Sequence, residues 1–211
     1  MSDEYSPYTD NKGTVISIVG KGFAIIGADT RMSDGYSIPS RNVTKLSPLT
    51  DKICLGSGGQ LADRIALRKL LKIRVKEYER KNHEVINPNA FAQLLSNTLY
   101  NRRFFPFYTF NMAVGVQDGE SFLYDYDSIG SKSRHQYKVE GSGVFLCLPL
   151  MDEMFSNLTA EEMPELEEAV SIMRTLFGSV AERDIHTGDK IEMCIITDEG
   201  SEIREFDLRL D

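Results

Sequence analysis

Two apolar runs near the start of the chain, Thr14–Val19 and Phe23–Ala28, constrain the fold more than any other feature. Only Gly20-Lys21-Gly22 separates them, which reads as a β-hairpin. A strand with one face in water alternates apolar and polar residues; these runs are almost continuously apolar. Such a hairpin needs cover on both faces. The remaining chain must therefore supply a layer on each side of it.

The first twelve residues read as an irregular polar arm, and residues 13–211 as a single domain. Asp29 to Pro48 is polar and turn-rich. Ile53–Gly59 reads as a short strand running into glycines, followed by a helix from about Gln60 to Lys81. Leu67, Leu71, Val75 and Tyr78 make one apolar stripe on that helix. Ala66, Leu70 and Ile73 make a second, so the helix is expected to lie packed between layers. A second helix opens at Asn87-Pro88, with Asn as cap and Pro in the first turn; Phe91, Leu94, Leu95 and Leu99 form its inner face. Asn111–Val116 and Ser121–Tyr126 flank an Asp-Gly turn and form a second hairpin. Gly141-Ser142-Gly143 breaks the chain before another apolar segment, and residues 151–163 read as a connection. A third helix is expected from about Pro164 to Arg183. A last hairpin pairs Lys190–Thr197 with Glu202–Leu208. Hairpins imply antiparallel sheet, and helices grouped between them imply an α+β class with sheets inside and helices outside.

Composition removes several functions. There are 24 Lys+Arg against 32 Asp+Glu, a net charge of -8, which argues against nucleic-acid binding through a broad basic face. Three cysteines, none at CxxC spacing, and three scattered histidines argue against a disulfide framework and a metal site. No cofactor is expected. No basic-then-apolar leader and no membrane-length apolar run are present. A reducing compartment, cytoplasm or nucleus, is the default.

The residues that could carry chemistry are Asp29, Lys45, Ser142 in its Gly-Ser-Gly turn, and Asp184 just past the third helix. A Lys beside carboxylates, a Ser and glycine-rich backbone can activate a hydroxyl nucleophile. The same charges can equally satisfy buried loops. Gly56-Ser57-Gly58-Gly59 precedes a helix but lacks the Gly-Lys-Ser/Thr ending of a phosphate-binding loop. Arg102-Arg103-Phe104-Phe105-Pro106-Phe107-Tyr108 interleaves cations and aromatics, as protein contact surfaces do. Core packing explains its aromatics equally well.

Gly13-Thr14 before an apolar strand, Gly27-Ala28-Asp29-Thr30-Arg31, Lys45 and Ser57-Gly58-Gly59 together resemble the β-type subunits of the 20S proteasome. Asn101–Tyr108 and Ala181–Asp189 are most similar to the subunit at the sixth β position of the eukaryotic ring, a non-catalytic place. The resemblance implies a four-layer αββα sandwich of the N-terminal-nucleophile hydrolase type. It also implies assembly with other β and α subunits into a 28-subunit, four-ring barrel serving ATP- and ubiquitin-dependent degradation. Active members of the family attack with an N-terminal Thr freed by self-cleavage after a Gly. In them the motif Asp follows the nucleophile by sixteen residues, and the Lys follows by sixteen more. Counting back from Asp29 and from Lys45 gives Gly13 both times, so Thr14 falls one residue late and faces the other side of its strand. By the same resemblance Gly59 matches an oxyanion-binding glycine. Ser142 and Asp184 match groups near the terminal amine, and Thr187 stands where active members carry Ser. The expectation is a silent subunit with vestigial site positions. Two other readings remain open: an active threonine protease cut at Gly13-Thr14, and a free-standing protein of the same fold.

Overall fold

The computed structural model describes residues 7–208. β1 (Thr14–Gly20) and β2 (Phe23–Asp29) form the first hairpin, and β3 (Met32–Asp34) and β4 (Ser37–Ser40) a small ribbon. β5 (Leu46–Thr50) and β6 (Ile53–Gly59) lead into α1 (Leu61–Asn82) and α2 (Pro88–Tyr100). Then come β7 (Thr109–Gln117), β8 (Glu120–Tyr126), β9 (Lys132–Arg134) and β10 (Tyr137–Gly141). α3 (Val144–Phe155), α4 (Leu166–Ala181), β11 (Lys190–Thr197) and β12 (Gly200–Asp207) complete the chain.

Two five-stranded antiparallel sheets stack, ordered β10-β1-β2-β11-β12 and β5-β6-β7-β8-β9. The first hairpin is central, and its alternate residues serve different layers, as the period of two requires. Val15, Ala24, Ile26 and Ala28 face the second sheet, where Cys54, Met112, Val114 and Leu123 meet them. Ile16, Ile18, Phe23 and Ile25 point the other way, onto Met151, Met173 and Phe177 of α3 and α4. On the far side, Ile53, Leu55 and Ala113 of the second sheet pack against Leu67 and Leu71 of α1 and Phe91 and Leu95 of α2. The layers are thus helix, sheet, sheet, helix. No described helix is long and apolar enough to cross a membrane.

Local chemistry explains the joints. The Asn87 side chain caps α2 by accepting from Ala90 N–H at 2.7 Å. Asp118 and Gly119 both take positive φ, 53° and 78°, in the two-residue turn joining β7 to β8, as such hairpins favour.

The structure corrects three expectations. α1 is an outer helix, not one packed between layers: Ala66 is exposed and Ile73 is 57% exposed, and of the second stripe only Leu70 packs partly on the core. The apolar segment after Gly143 is a fourth helix, α3, with Pro149 inside it, so residues 151–155 are helical rather than connecting. The turn-rich stretch 29–48 contains β3, β4 and the start of β5. Strands of only three to five residues, two of them holding a Pro, carry too little periodicity to announce themselves.

Gly56 of β6 faces the first hairpin across the sheet–sheet interface. A Cβ there would lie 2.5 Å from Ile26 Cδ1 and 2.8 Å from Val15 Cγ1. Gly56→Ala is expected to cost about 1–3 kcal/mol by overpacking. Gly178→Ala, in α4 with nothing within 4 Å of the added carbon, is expected to gain about 1 kcal/mol from helix propensity. Urea unfolding of the purified chain measures both.

Candidate functional site

β2 ends in the buried Asp29, and Lys45 directly precedes β5, so the strand ends of both sheets bring these two side chains together. Lys45 Nζ lies 3.0 Å from Asp29 Oδ1, with both side chains almost wholly buried. The ammonium also donates to the carbonyl oxygens of Asp29 and Arg31, each at 2.7 Å. Asp29 accepts from Thr14 N–H at 2.7 Å, Arg31 N–H at 3.2 Å and Gly188 N–H at 3.3 Å. Burial pushes the Asp29 carboxyl up, against the opposing pull of Lys45 and the amide donors. Burial likewise pushes the Lys45 ammonium down, against the pull of Asp29. Each charge is therefore tolerable only because the other is present.

Gly13 lies against this pair. A Cβ at Gly13 would stand 2.6 Å from Lys45 Nζ and 2.8 Å from Asp29 Oδ1, and φ there is +91°, which favours glycine. The ammonium occupies the space that a side chain at position 13 would need.

Thr14 points elsewhere. Its hydroxyl is 2.7 Å from that of Thr187 and accepts from Gly143 N–H at 3.0 Å. Thr187 Oγ1 donates to Asp184 Oδ2 at 2.6 Å, as does Ser142 Oγ. The single Thr187 proton is thus committed to Asp184, so Thr14 donates to Thr187. Ser142 returns to Gly13, its N–H donating to the Gly13 carbonyl at 3.0 Å. The structure therefore brings Gly13, Asp29 and Lys45 into one cluster, and Ser142, Asp184, Thr187 and Thr14 into an adjoining hydrogen-bond chain. Gly59 ends β6, two residues past Ser57, whose N–H donates to the Lys45 carbonyl at 3.0 Å.

Several participants were not singled out from the sequence. Arg31 Nε donates to Asp189 Oδ2 at 2.9 Å, and Arg41 Nη1 to Asp189 Oδ1 at 2.6 Å. Burial raises the Asp189 carboxyl, but the two guanidiniums outweigh it and hold it below the usual range. Arg64 on α1 is a second cation beside the pair; burial pushes its guanidinium down to about 10. Arg31 and Asp189 each lie in a segment that carried the family resemblance, Gly27–Arg31 and Ala181–Asp189, and their opposite charges were the available clue. The cavity lined by Lys45, Ser47, Ser57, Leu61 and Arg64 measures about 20 Å³, room for about one water. Among the described residues no His, Cys, Asp and Glu cluster could hold a metal.

The Arg102–Tyr108 segment divides. Phe107 is buried in the core under the Arg102 guanidinium, 4.6 Å from the ring centre. Phe104 and Phe105 are 88% and 64% exposed, and Arg103 lies over the Phe104 ring at 4.4 Å. Arg102 and Arg103 are exposed and Tyr108 is half-buried.

A family model described as proteasome subunit matches residues 10–196. The chain belongs to the proteasome subunit family. It is 41% identical to proteasome subunit beta type-1 of Arabidopsis thaliana, over 98% of this chain and 97% of the relative. It is 40% identical to the beta type-1 subunit of Danio rerio, over 100% and 91% of the two chains. A probable proteasome subunit beta type-6 of Schizosaccharomyces pombe is 32% identical over 99% and 98%. This proteasome subunit is of the β type, and its layered α+β sandwich is the fold that the family resemblance implied.

The charge pair gives a direct test. Asp29→Asn or Lys45→Met alone is expected to destabilise this β-type subunit by roughly 3–5 kcal/mol, because each strands a buried charge. The double variant is expected to recover at least about 1 kcal/mol of the summed loss. Recovery stays incomplete, since the Asp29 and Arg31 carbonyls lose their donor. Urea midpoints of the four proteins close the cycle.

Proposed function

We propose that this chain is a catalytically silent β subunit of the 20S proteasome core particle. In this reading it holds the sixth β position in each inner ring of a 28-subunit, four-ring barrel. It meets two β neighbours, an α-ring subunit and the opposite β ring, and it shapes the chamber in which ATP- and ubiquitin-dependent degradation ends. The observation that carries the proposal is at position 13. A glycine without a Cβ stands against Lys45 Nζ and Asp29 Oδ1, where an attacking hydroxyl would need the Lys to accept or stabilise its proton.

Two further observations support silence. The Thr14 hydroxyl is wholly buried and donates a hydrogen bond to Thr187, whose own proton is engaged by Asp184. The cavity beside Lys45 has no room for a substrate side chain. In this reading Gly13, Asp29, Lys45, Gly59, Ser142, Asp184 and Thr187 are retained as structural groups. The exposed Phe104 and Phe105, with Arg102 and Arg103, form a subunit contact, consistent with the aromatic and Arg enrichment of interfaces. Three buried free cysteines suit the reducing cytoplasm and nucleus.

Intact mass and electrophile labelling of the purified particle test the proposal. The expected chain retains Gly13 and residues before it, and takes up no peptide epoxyketone. A chain beginning at Thr14 and carrying an epoxyketone adduct would overturn it.

A further inference from the structure

The strands that place Asp29 and Lys45 also have a far end. Six or seven residues at about 3.3 Å each put the turns closing β5–β6, β7–β8 and β11–β12 about 20 Å from that pair. The three turns meet there. Lys52, in the first, donates from Nζ to the Thr197 carbonyl at 3.3 Å and to the Asp198 carbonyl in the third. In the second, a Cβ added to Gly119 would stand 3.8 Å from Asp198 Oδ2. The start of α2 packs beneath them. Gly115 of β7 makes this possible, because a Cβ there would lie 2.7 Å from the Lys52 carbonyl oxygen and 3.0 Å from Pro88 Cγ.

Between the turns and α2 is a cavity of about 170 Å³ with Val85, Ile86, Pro88 and Val116 in its lining. An apolar cavity of about 150 Å³ takes benzene, so this one takes a single side chain. Ile86 is 1% exposed at its floor and Val85 is 64% exposed at its mouth. Asp118 and Asp198 line it too, and both are exposed. The three turns together carry Asp51, Asp118, Asp198 and Glu199 against the ammonium of Lys52. That ammonium is engaged by two carbonyl oxygens and lies 3.7 Å from Asp198 Oδ1. Among the described residues nothing hydrogen-bonds to or pairs with the Asp118 carboxylate.

We propose that this cavity is an anchor site for one Lys or Arg side chain, presented by an extended basic segment of a partner protein. The chemistry of the cavity selects that occupant. A purely aliphatic side chain would fill the floor and leave the carboxylates unanswered. A short cation would answer the carboxylates and leave the floor wet. Lys and Arg do both, since their methylene stems lie along apolar surface while the charged head stays at the margin. The stem rests on Ile86, Pro88 and Val116, and the head reaches Asp118 and Asp198. Asp51 and Glu199 nearby favour further cations in the same segment. Nothing at this end of the strands depends on whether position 13 is silent.

Methyl NMR on the assembled particle, with the Ile and Val methyls of this subunit labelled, tests it. The probes are acetylated and amidated Gly-Gly-X-Gly-Gly peptides in which X is arginine, lysine, citrulline or norleucine. The arginine and lysine peptides are expected to shift the Val85, Ile86 and Val116 methyls along saturating curves at millimolar concentration. Citrulline and norleucine keep a stem and lose the charge, so their peptides should bind about fivefold more weakly, the upper range for an exposed ion pair. Asp118→Asn should close most of that gap for the arginine peptide. Asn keeps the positive φ of 53° at this position without strain, so the turn survives the loss of the carboxylate. Three results would each overturn the proposal. One is no saturating shift with either cationic peptide. The second is a norleucine peptide that binds as tightly as the arginine peptide, which would make the cavity merely apolar. The third is arginine binding that Asp118→Asn leaves unchanged.

Discussion

A carboxylate that is 1% exposed must be surrounded by donors, and the donors around Asp29 come from four places in the chain. Thr14 N–H starts β1, Arg31 N–H lies between β2 and β3, Gly188 N–H precedes β11, and Lys45 precedes β5. The first sheet contributes Thr14, Asp29 itself and the approach to β11, and the second sheet contributes Lys45. One ion thus fixes where two sheets meet at one end of their shared core. The apolar residues between the sheets supply most of the favourable free energy, but that term has no direction. The Asp29 cluster supplies direction, because a buried hydrogen-bonded charge tolerates few arrangements.

The same end of the molecule carries a second polar layer. Arg31 turns from the Asp29 cluster to Asp189, and Arg41 reaches Asp189 from the β4–β5 connection. Arg31 also donates to the Ile185 carbonyl at 2.9 Å. The loop after α4 is thereby held to the strand ends by guanidinium forks, whose planar geometry fixes orientation as well as distance. Asp184 and Thr187, which lie in that loop, are placed for the Thr14 chain by the same forks. The polar residues of the site are therefore one connected network, and none of its buried side-chain polar atoms lacks a partner among the described residues.

Much of this was legible in the sequence, and for identifiable reasons. The unbroken apolar character of Thr14–Val19 and Phe23–Ala28 required cover on two faces, and the layers are there. Asn87-Pro88, Asp118-Gly119 and the stripe through α4 are local signals whose cause is local. Spacing from Asp29 and Lys45 led to Gly13, and the two side chains do flank it. What escaped notice depends on distant partners. Val144–Phe155 contains Pro149 and follows glycines, so its local propensity speaks against a helix. Packing of Cys147, Met151 and Phe155 on the first sheet overrides that propensity. Ala66 and Ile73 have apolar character at helical spacing, but the core has only one side of α1 to cover. Arg41 and Arg64 look like ordinary surface cations until the fold brings them to Asp189 and to the Thr44 carbonyl.

Under the proposal of a silent subunit, what is kept once a nucleophile is gone follows from where each group sits in this network. At position 13 a glycine leaves no unpaired atom behind, because the backbone still accepts from Ser142 and the space is filled by the Lys45 ammonium. In that proposal, loss of the nucleophile is structurally mild. Loss of Asp29 or Lys45 is not, since either change strands the other charge in the interior. Asp184 is intermediate: it receives two hydroxyl protons at 2.6 Å, and its removal would leave Ser142 and Thr187 to find other acceptors at the margin of the core. On the silent-subunit proposal, the chain sheds catalysis at one residue while the surrounding charges remain in place for reasons of folding alone. An intact Asp–Lys pair in a proteasome-type fold is evidence of a stable strand junction. The side chain at the position facing it decides whether that junction can do chemistry.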